Sequence, residues 1–200
     1  VSAQPYHHGD LRRTLLHAAA AHIETDGVES LSLRQLARDA GVSHAAPSRH
    51  FRDKQALLDA LAEDGFHRLG ASLAAAAQGD SRSKAAARAQ FEALGRAYVG
   101  FAVEHPALLS LMFAMKHAPD ARAELIAAGR ASMDITMRVV EAAQANGAIG
   151  AGDASRIALA TFAAFHGVAM LVSGDLLEGV PAGDLVATTS ELLWRGLQSE

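Results

Sequence analysis

Residues able to do chemistry are sparse in this sequence, and histidine is the most informative of them. His44 and His50 bracket "HAAPSRH", and "FRDK" follows at once, so residues 44–54 gather two imidazoles with Arg49, Arg52 and Lys54. Such a group suits a metal ion or a row of phosphates. The metal reading is the weaker: His44 and His50 stand six apart, not the three or four that put two ligands on one helical face, and no acidic residue completes a set with them. Phosphate contact stays open, as does an ordinary helical hairpin with no ligand at all. His7-His8 reads as an N-terminal arm.

The second half offers His105, His117 and His166 among scattered carboxylates, with no Gly-rich phosphate loop and no His-x-x-x-His pair. A single histidine on an apolar helix is commonly a hydrogen-bonded core residue, so no catalytic site, resident metal or cofactor is expected, and the chain does not read as an enzyme. A different feature is more suggestive. Phe101, Met112, Phe113, Met137, Phe162 and Phe165 fall near His105 and His166 in a helical pattern. Flexible thioethers and aromatic rings with a few polar groups suit an adaptable apolar pocket. Plain core filling is the alternative.

These residues sit in a chain of 200 residues, half of them apolar, rich in Ala and Leu and without cysteine. Ala and Leu are strong helix formers, and no convincing alternation of apolar and polar residues marks a strand, so the composition predicts an all-α protein. Absence of cysteine removes disulfides, thiolate zinc sites and thiol nucleophiles. The most apolar run, Ile157–Val172, is short for a bilayer span and contains His166, and no signal peptide is evident. A cytoplasmic protein without a membrane partner is expected. Net charge is -4, unevenly spread: residues 1–54 hold seven Lys/Arg against six Asp/Glu, and the remainder eleven against sixteen. That asymmetry is too mild to carry a nucleic-acid claim alone.

The elements that position the residues follow from periodicity. Leu11, Leu15, Leu16, Ala19 and Ile23 recur at helical spacing up to Gly27, with Asp10 as N-cap. A second helix begins after Ser32, whose hydroxyl suits an N-cap. "AGVS" breaks it: Gly41 takes the left-handed conformation of a tight helix end, Val42 packs inward and Ser43 caps a third short helix reaching about His50. Asp53 caps a longer helix carrying Leu57, Leu61, Phe66 and Leu69. A polar, small-residue break at 74–84 precedes the second half. There Phe91, Leu94, Tyr98 and Phe101 form one helical stripe ending at His105-Pro106, and two last helices span about 154–177 and 182–198.

Helix, Gly-apolar-Ser turn and short second helix form a helix-turn-helix pattern, in which the second helix enters the major groove. The residue types match that task. Ala37, Val42 and Phe51 pack the helices together, while His44, Ala45, Ala46 and Ser48 face outward and are small enough to let backbone approach bases.

Quoted in full, "HHGDLRRTLLHAAAAHIETDGVESLSLRQLARDAGVSHAAPSRHFRDKQALLDAL" resembles the N-terminal domain of TetR-family transcriptional regulators over about residues 7–62. "YVGFAVEHPALLSLMF" and "FAAFHGVAMLVSGDL" resemble the sensor region of a subfamily with a Trp-His-Gly motif, here Phe165-His166-Gly167. The resemblance implies DNA contacts from Ser32, Arg34, Ser43, His44, Ala45, Ser48, His50 and Lys54, with Arg12 and Arg13 adding phosphate contacts. Ser48 stands where the family usually has Tyr, so readout would rest on few groups, chiefly Arg34 and His44, with alanines against thymine methyls. It further implies an Ω-shaped homodimer on a palindromic operator, built from a DNA-binding domain at 1–54 and a ligand-binding, dimerising domain at 55–200. In that domain Phe101, His105, Met112, Phe113, Met137, Phe162, Phe165 and His166 would meet a small apolar ligand. Trp194 is expected at or near the dimer interface, in a four-helix contact made by the last two helices. The expected function is a repressor released by that ligand. The alternative is a helical small-molecule binding protein or enzyme whose helix-turn-helix is vestigial.

Overall fold

The computed structural model describes residues 8–79 and 82–198, with side chains from Leu11 onward; the His7-His8 arm lies outside the described side chains. Eight α-helices and one 3-10 turn make up the described chain, and it holds no strand, as its composition predicts: α1 His8–Ser30, α2 Leu33–Asp39, the 3-10 turn Pro47–Arg49, α3 Lys54–Ala76, α4 Lys84–Glu104, α5 Pro106–Lys116, α6 Ala123–Ala145, α7 Ala154–Ser173 and α8 Ala182–Leu197. Two compact units are distinguished. One holds the residues up to Phe66 with Ala107–Ile126, the other His67–Pro106 with Ala127 onward.

In the first unit α1 spans His8–Ser30, so Asp10 lies within the helix rather than ahead of it. The periodic run ends at Gly27 as expected, but as a break rather than a terminus. Gly27 adopts φ 77° and ψ 161°, and helical structure resumes to Ser30. A left-handed φ of this kind suits glycine, which carries no Cβ to clash. Leu15, Leu16, Ala19 and Ile23 of α1 are buried with Leu36, Phe51, Leu57, Leu61 and Phe66. Leu108, Leu109 and Met112 of α5 are also fully buried. A Cβ at Gly65 would stand 2.6 Å from Met112 Sδ, so α3 and α5 approach closely because position 65 has no side chain.

The second unit is built on α4, α7 and α8, which pack against one another. Phe91 of α4 lies 5.5 Å from Trp194 and 6.3 Å from Phe165, ring centre to ring centre. Trp194 is therefore a core residue, 2% exposed, and not the interface residue expected from its place in the last helix. α7 has 20 residues and is, by length and composition, long and apolar enough to cross a membrane, more than the run Ile157–Val172 suggested. Ala158, Thr161, Phe165, Val168 and Ala169 form its buried side. Leu159, Met170 and Leu171 leave its other side exposed, as does Leu192 of α8, which is 65% exposed.

Candidate nucleic-acid interface

The short segment from Ser32 to Lys54 is held from behind and capped at both ends. Ser32 has extended backbone and its hydroxyl accepts the Gln35 N–H at 3.1 Å, which is the N-cap its sequence position predicts. Leu36 and Ala37 are wholly buried. At the other end Asp53 Oδ1 accepts the Ala56 N–H at 2.7 Å and starts α3. Between them Gly41 has φ 65°, and the Val42 N–H reaches back to the Ala37 carbonyl at 3.0 Å, closing α2 in the left-handed manner that lets the chain reverse within a few residues. Val42 itself is half-buried.

The third helix is shorter than its sequence suggests. Ser43 to Ala46 is a turn, closed by the Ala46 N–H on the Ser43 carbonyl at 2.9 Å, and only Pro47–Arg49 is helical, as 3-10. Proline explains this: it offers no N–H to a carbonyl four residues back, so an α-helix from Ser43 would miss a bond in its first full turn. Ala46, expected on the outward face, is buried beside Pro47. Ser43, His44, Ala45 and Ser48 are exposed, as are Ser32 and Arg34; His50 is half-buried. An exposed, mostly small surface thus stands on a fixed apolar floor of Leu36, Ala37, Ala46 and Phe51.

Two of the basic residues expected to contact phosphate also tie elements of this unit together. Lys54 Nζ donates to the Glu29 carbonyl at 3.0 Å, tying the start of α3 to the end of α1. Arg12 carries its guanidinium 5.5 Å from the centre of the Phe51 ring. Such a contact attaches the first helix to the aromatic anchor of the turn. Sequence reasoning overlooked His22. Its Nδ1 lies 3.1 Å from Asp39 Oδ2 and its Nε2 2.9 Å from Ser30 Oγ, so it links α1 to the end of α2. Eight positions separate it from Ser30 and seventeen from Asp39, spacings no helical pattern would flag.

The residues expected to meet a ligand are distributed over both units. Met112 is fully buried and Phe113 packs edge-on against Phe66, with centres 5.6 Å apart, both in the first unit. In the second, Phe165 is buried against α4, while Phe162 stacks on His166 at 5.3 Å and meets Tyr98 edge-on at 5.7 Å. Tyr98 Oη lies 2.8 Å from His166 Nδ1. Burial pushes the Tyr98 phenol up and the His166 imidazole down, so both favour their neutral forms. Met137 is half-buried on α6. Phe101 is buried and meets His105 edge-on at 5.1 Å, beside a recess of about 360 Å³. Among the described residues no group of three or more His, Asp or Glu is disposed to hold a metal.

This arrangement agrees with comparisons to known proteins. The description "Bacterial regulatory proteins, tetR family" matches residues 15–61, and "Tetracyclin repressor-like, C-terminal domain" matches residues 91–193. The chain belongs to the TetR family. As a member it is a DNA-binding transcriptional regulator, and its partners are DNA and a second copy of itself. A structure of a protein with unknown function from Rhodococcus sp. RHA1 is 57% identical, covering 98% of this chain and 100% of that one with a TM-score of 0.87. A bacterial regulatory protein in the tetR family from Rhodococcus RHA1 shares the fold at 20% identity and a TM-score of 0.72, over 94% of this chain and 97% of that chain. So does the TetR family transcriptional regulator PfmR from Thermus thermophilus, at 19% identity and a TM-score of 0.70 over the full length of both. No curated protein matches the chain. Within the TetR family, the first match covers the whole helix-turn-helix segment, and the second covers α7 and most of α4 and α8.

Proposed function

We propose that this TetR-family regulator is a repressor that reads a palindromic operator as a dimer and leaves it when a small apolar molecule binds its C-terminal part. The observation that carries the DNA half is the exposed set Ser43, His44, Ala45 and Ser48 on a turn whose apolar floor is closed. Ser32, Arg34 and His50 flank it. Lys54 serves through its backbone bond to Glu29 as well as through its charge. The division of labour runs near residue 54: residues 1–54 bind DNA, and residues 55–200 bind ligand and dimerise. With Ser in place of Tyr at position 48, long base-reading side chains are few, and Arg34 and His44 carry most of the discrimination. A cytoplasmic location follows from a DNA partner.

The exposed apolar side chains of α7 and α8 support self-association. Leu159, Met170, Leu171 and Leu192 are large, apolar and open to solvent in the single chain, whereas the opposite side of α7 is packed. Two-fold pairing gives two short recognition turns one DNA turn apart, each too small to bind tightly alone. Phe165-His166-Gly167 supports kinship to the subfamily with a Trp-His-Gly motif, and the aromatic residues of the second unit support an apolar ligand. A ligand that prefers one arrangement of the two heads shifts the population away from the operator-competent one.

Selection of bound duplexes from a random pool tests the reading, with Arg34→Ala/His44→Ala as control because both side chains are exposed. A palindrome enriched by the wild type and lost in the variant is the expected result. Equal recovery of all sequences by both proteins would overturn specific regulation. The recovered operator then serves to find compounds that release the protein.

A further inference from the structure

Resting on the ligand-released reading above, we propose that the recess beside His105 selects a small apolar molecule carrying a single carboxylate, and that Arg68 is the residue that recognises its charge. Arg68 of α3 and Ser72 one turn later form one wall; Gly100, Phe101 and Glu104 of α4, with His105 just past its end, supply the other. All belong to the second compact unit. At about 360 Å³ the space lies at the small end of ligand pockets, which run from about 300 to 1,000 Å³.

The charge balance identifies the ligand. Arg68 is half-buried, and its Nη2 donates to His105 Nε2 at 2.8 Å. Because a guanidinium only donates, the imidazole is the acceptor, and its own proton sits on Nδ1. His105 therefore orients Arg68 without neutralising it. Among the described residues no carboxylate lies within ion-pair distance of Arg68. A partly desolvated guanidinium with no carboxylate in ion-pair contact gains from an incoming carboxylate, with which it forms paired, charge-assisted bonds. Glu104 on the rim, and the carbonyl end of α4 beside it, put negative potential next to this cation. They favour a ligand with one negative charge over one with two.

The apolar part of the ligand also has a place. The Phe101 ring and the small residues Ala97 and Gly100 line the same wall, and a Cβ built at Gly100 would meet nothing within 4 Å. That opening sits on a helix, where glycine is otherwise a poor choice. Its lack of a side chain leaves open space at this wall, which a larger residue would occupy.

Octanoate and 1-octanol, equal in chain length and different in charge, separate the charge from the apolar term. Binding to the full-length dimer is measured by calorimetry for wild type, Arg68→Gln and Gly100→Leu. Octanoate should bind wild type about tenfold or more tightly than octanol, the usual effect of a charge-assisted bond. Arg68→Gln should erase that preference and leave octanol unchanged, Gly100→Leu should abolish both, and suberate, with two carboxylates, should bind more weakly than octanoate. Failure of octanoate to bind, equal binding of the two probes, or a preference retained in Arg68→Gln would overturn the proposal. A neutral or cationic compound that releases the operator with equal potency from wild type and Arg68→Gln would do so too, while leaving ligand-released regulation standing. If no compound in a chemically mixed library releases the operator, the reading on which the proposal rests fails as well.

Discussion

The carboxylate of Glu24, in the first long helix, caps the start of α5 by accepting the Leu108 N–H at 3.0 Å, and its second oxygen accepts the Ala107 N–H at the same distance. Eighty-four positions separate Glu24 from Leu108. The first amides of a helix have no partner within it, and a carboxylate there also meets the positive end of the helix dipole. Pro106, the first residue of α5, lacks an N–H to satisfy, so Glu24 serves the next two.

Replacing that carboxylate should weaken the first unit. Glu24→Ala is expected to lower unfolding free energy by about 1–2 kcal/mol, in the range for loss of a helix cap. Glu24→Gln, which keeps one acceptor oxygen, should lose less. Urea denaturation of the three proteins measures the effect. Equal midpoints for wild type and Glu24→Ala would show that the two bonds add nothing to stability.

Phe165 and Gly95 make a tighter prediction. The Phe165 ring occupies the place a Cβ at position 95 would take, so no side chain fits there unless the ring moves. Gly95→Ala should destabilise by about 1–3 kcal/mol, as overpacking does, even though alanine is the better helix former. Phe165→Leu in the Gly95→Ala background should recover part of the loss. Thermal unfolding of the single and double variants decides it. A stabilised Gly95→Ala protein would show that α4 and α7 are not in close contact at this point.

Tyr98 and His166 predict an acid limb. We assign the phenol as donor to His166 Nδ1, since burial raises Tyr98 and keeps its proton in place. Burial lowers His166 below its ordinary value, so the unfolded chain takes up a proton at higher pH than the folded one does. The contribution of neutral His166 is complete above about pH 6.5, the unfolded value, and is lost as pH falls from there through the folded value. Tyr98→Phe should cost about 0.5–1.5 kcal/mol at pH 8. It should also flatten the acid limb, because neutral His166 loses its donor. Chemical denaturation from pH 8 to pH 5 measures both. A deficit in Tyr98→Phe that stays constant with pH would separate the hydrogen bond from the titration.

What could be read in the sequence was local. Ser32 and Asp53 cap the helices they precede because an N-cap depends on a side chain and an amide three positions on. Gly41 turns the chain because its φ is set within one residue. Phe91, Leu94, Tyr98 and Phe101 fall on one buried stripe through helical periodicity alone. Misreadings arose where distant partners or one residue's special chemistry decided the outcome. Trp194 sits in the core because Phe91, a hundred residues earlier, faces it. Pro47 reduces the third helix to a single 3-10 turn. Glu24, His22 and Arg68 gave no signal, since each acts through a partner that no short-range pattern connects to it. In the candidate DNA surface, the exposed residues were legible, whereas the Lys54–Glu29 tie was not.

The exposed apolar side chains of α7 and α8 lead to a prediction about assembly. Leu159 is 59% exposed and Leu192 65%, although both belong to helices whose other sides are packed into the second unit. Covering such side chains with a second copy removes apolar surface from water at about 25 cal/mol per Å², whereas a glutamate there would have to be desolvated. Leu159→Glu/Leu192→Glu should therefore shift the protein from dimer to monomer in sedimentation equilibrium with little change in helix content by circular dichroism. Operator binding should weaken in parallel, because one recognition turn must then hold a half-site alone. An unchanged dimer in the double variant would move the interface away from Leu159 and Leu192. A monomer that still bound the full operator with wild-type affinity would show that the two heads do not act as a pair.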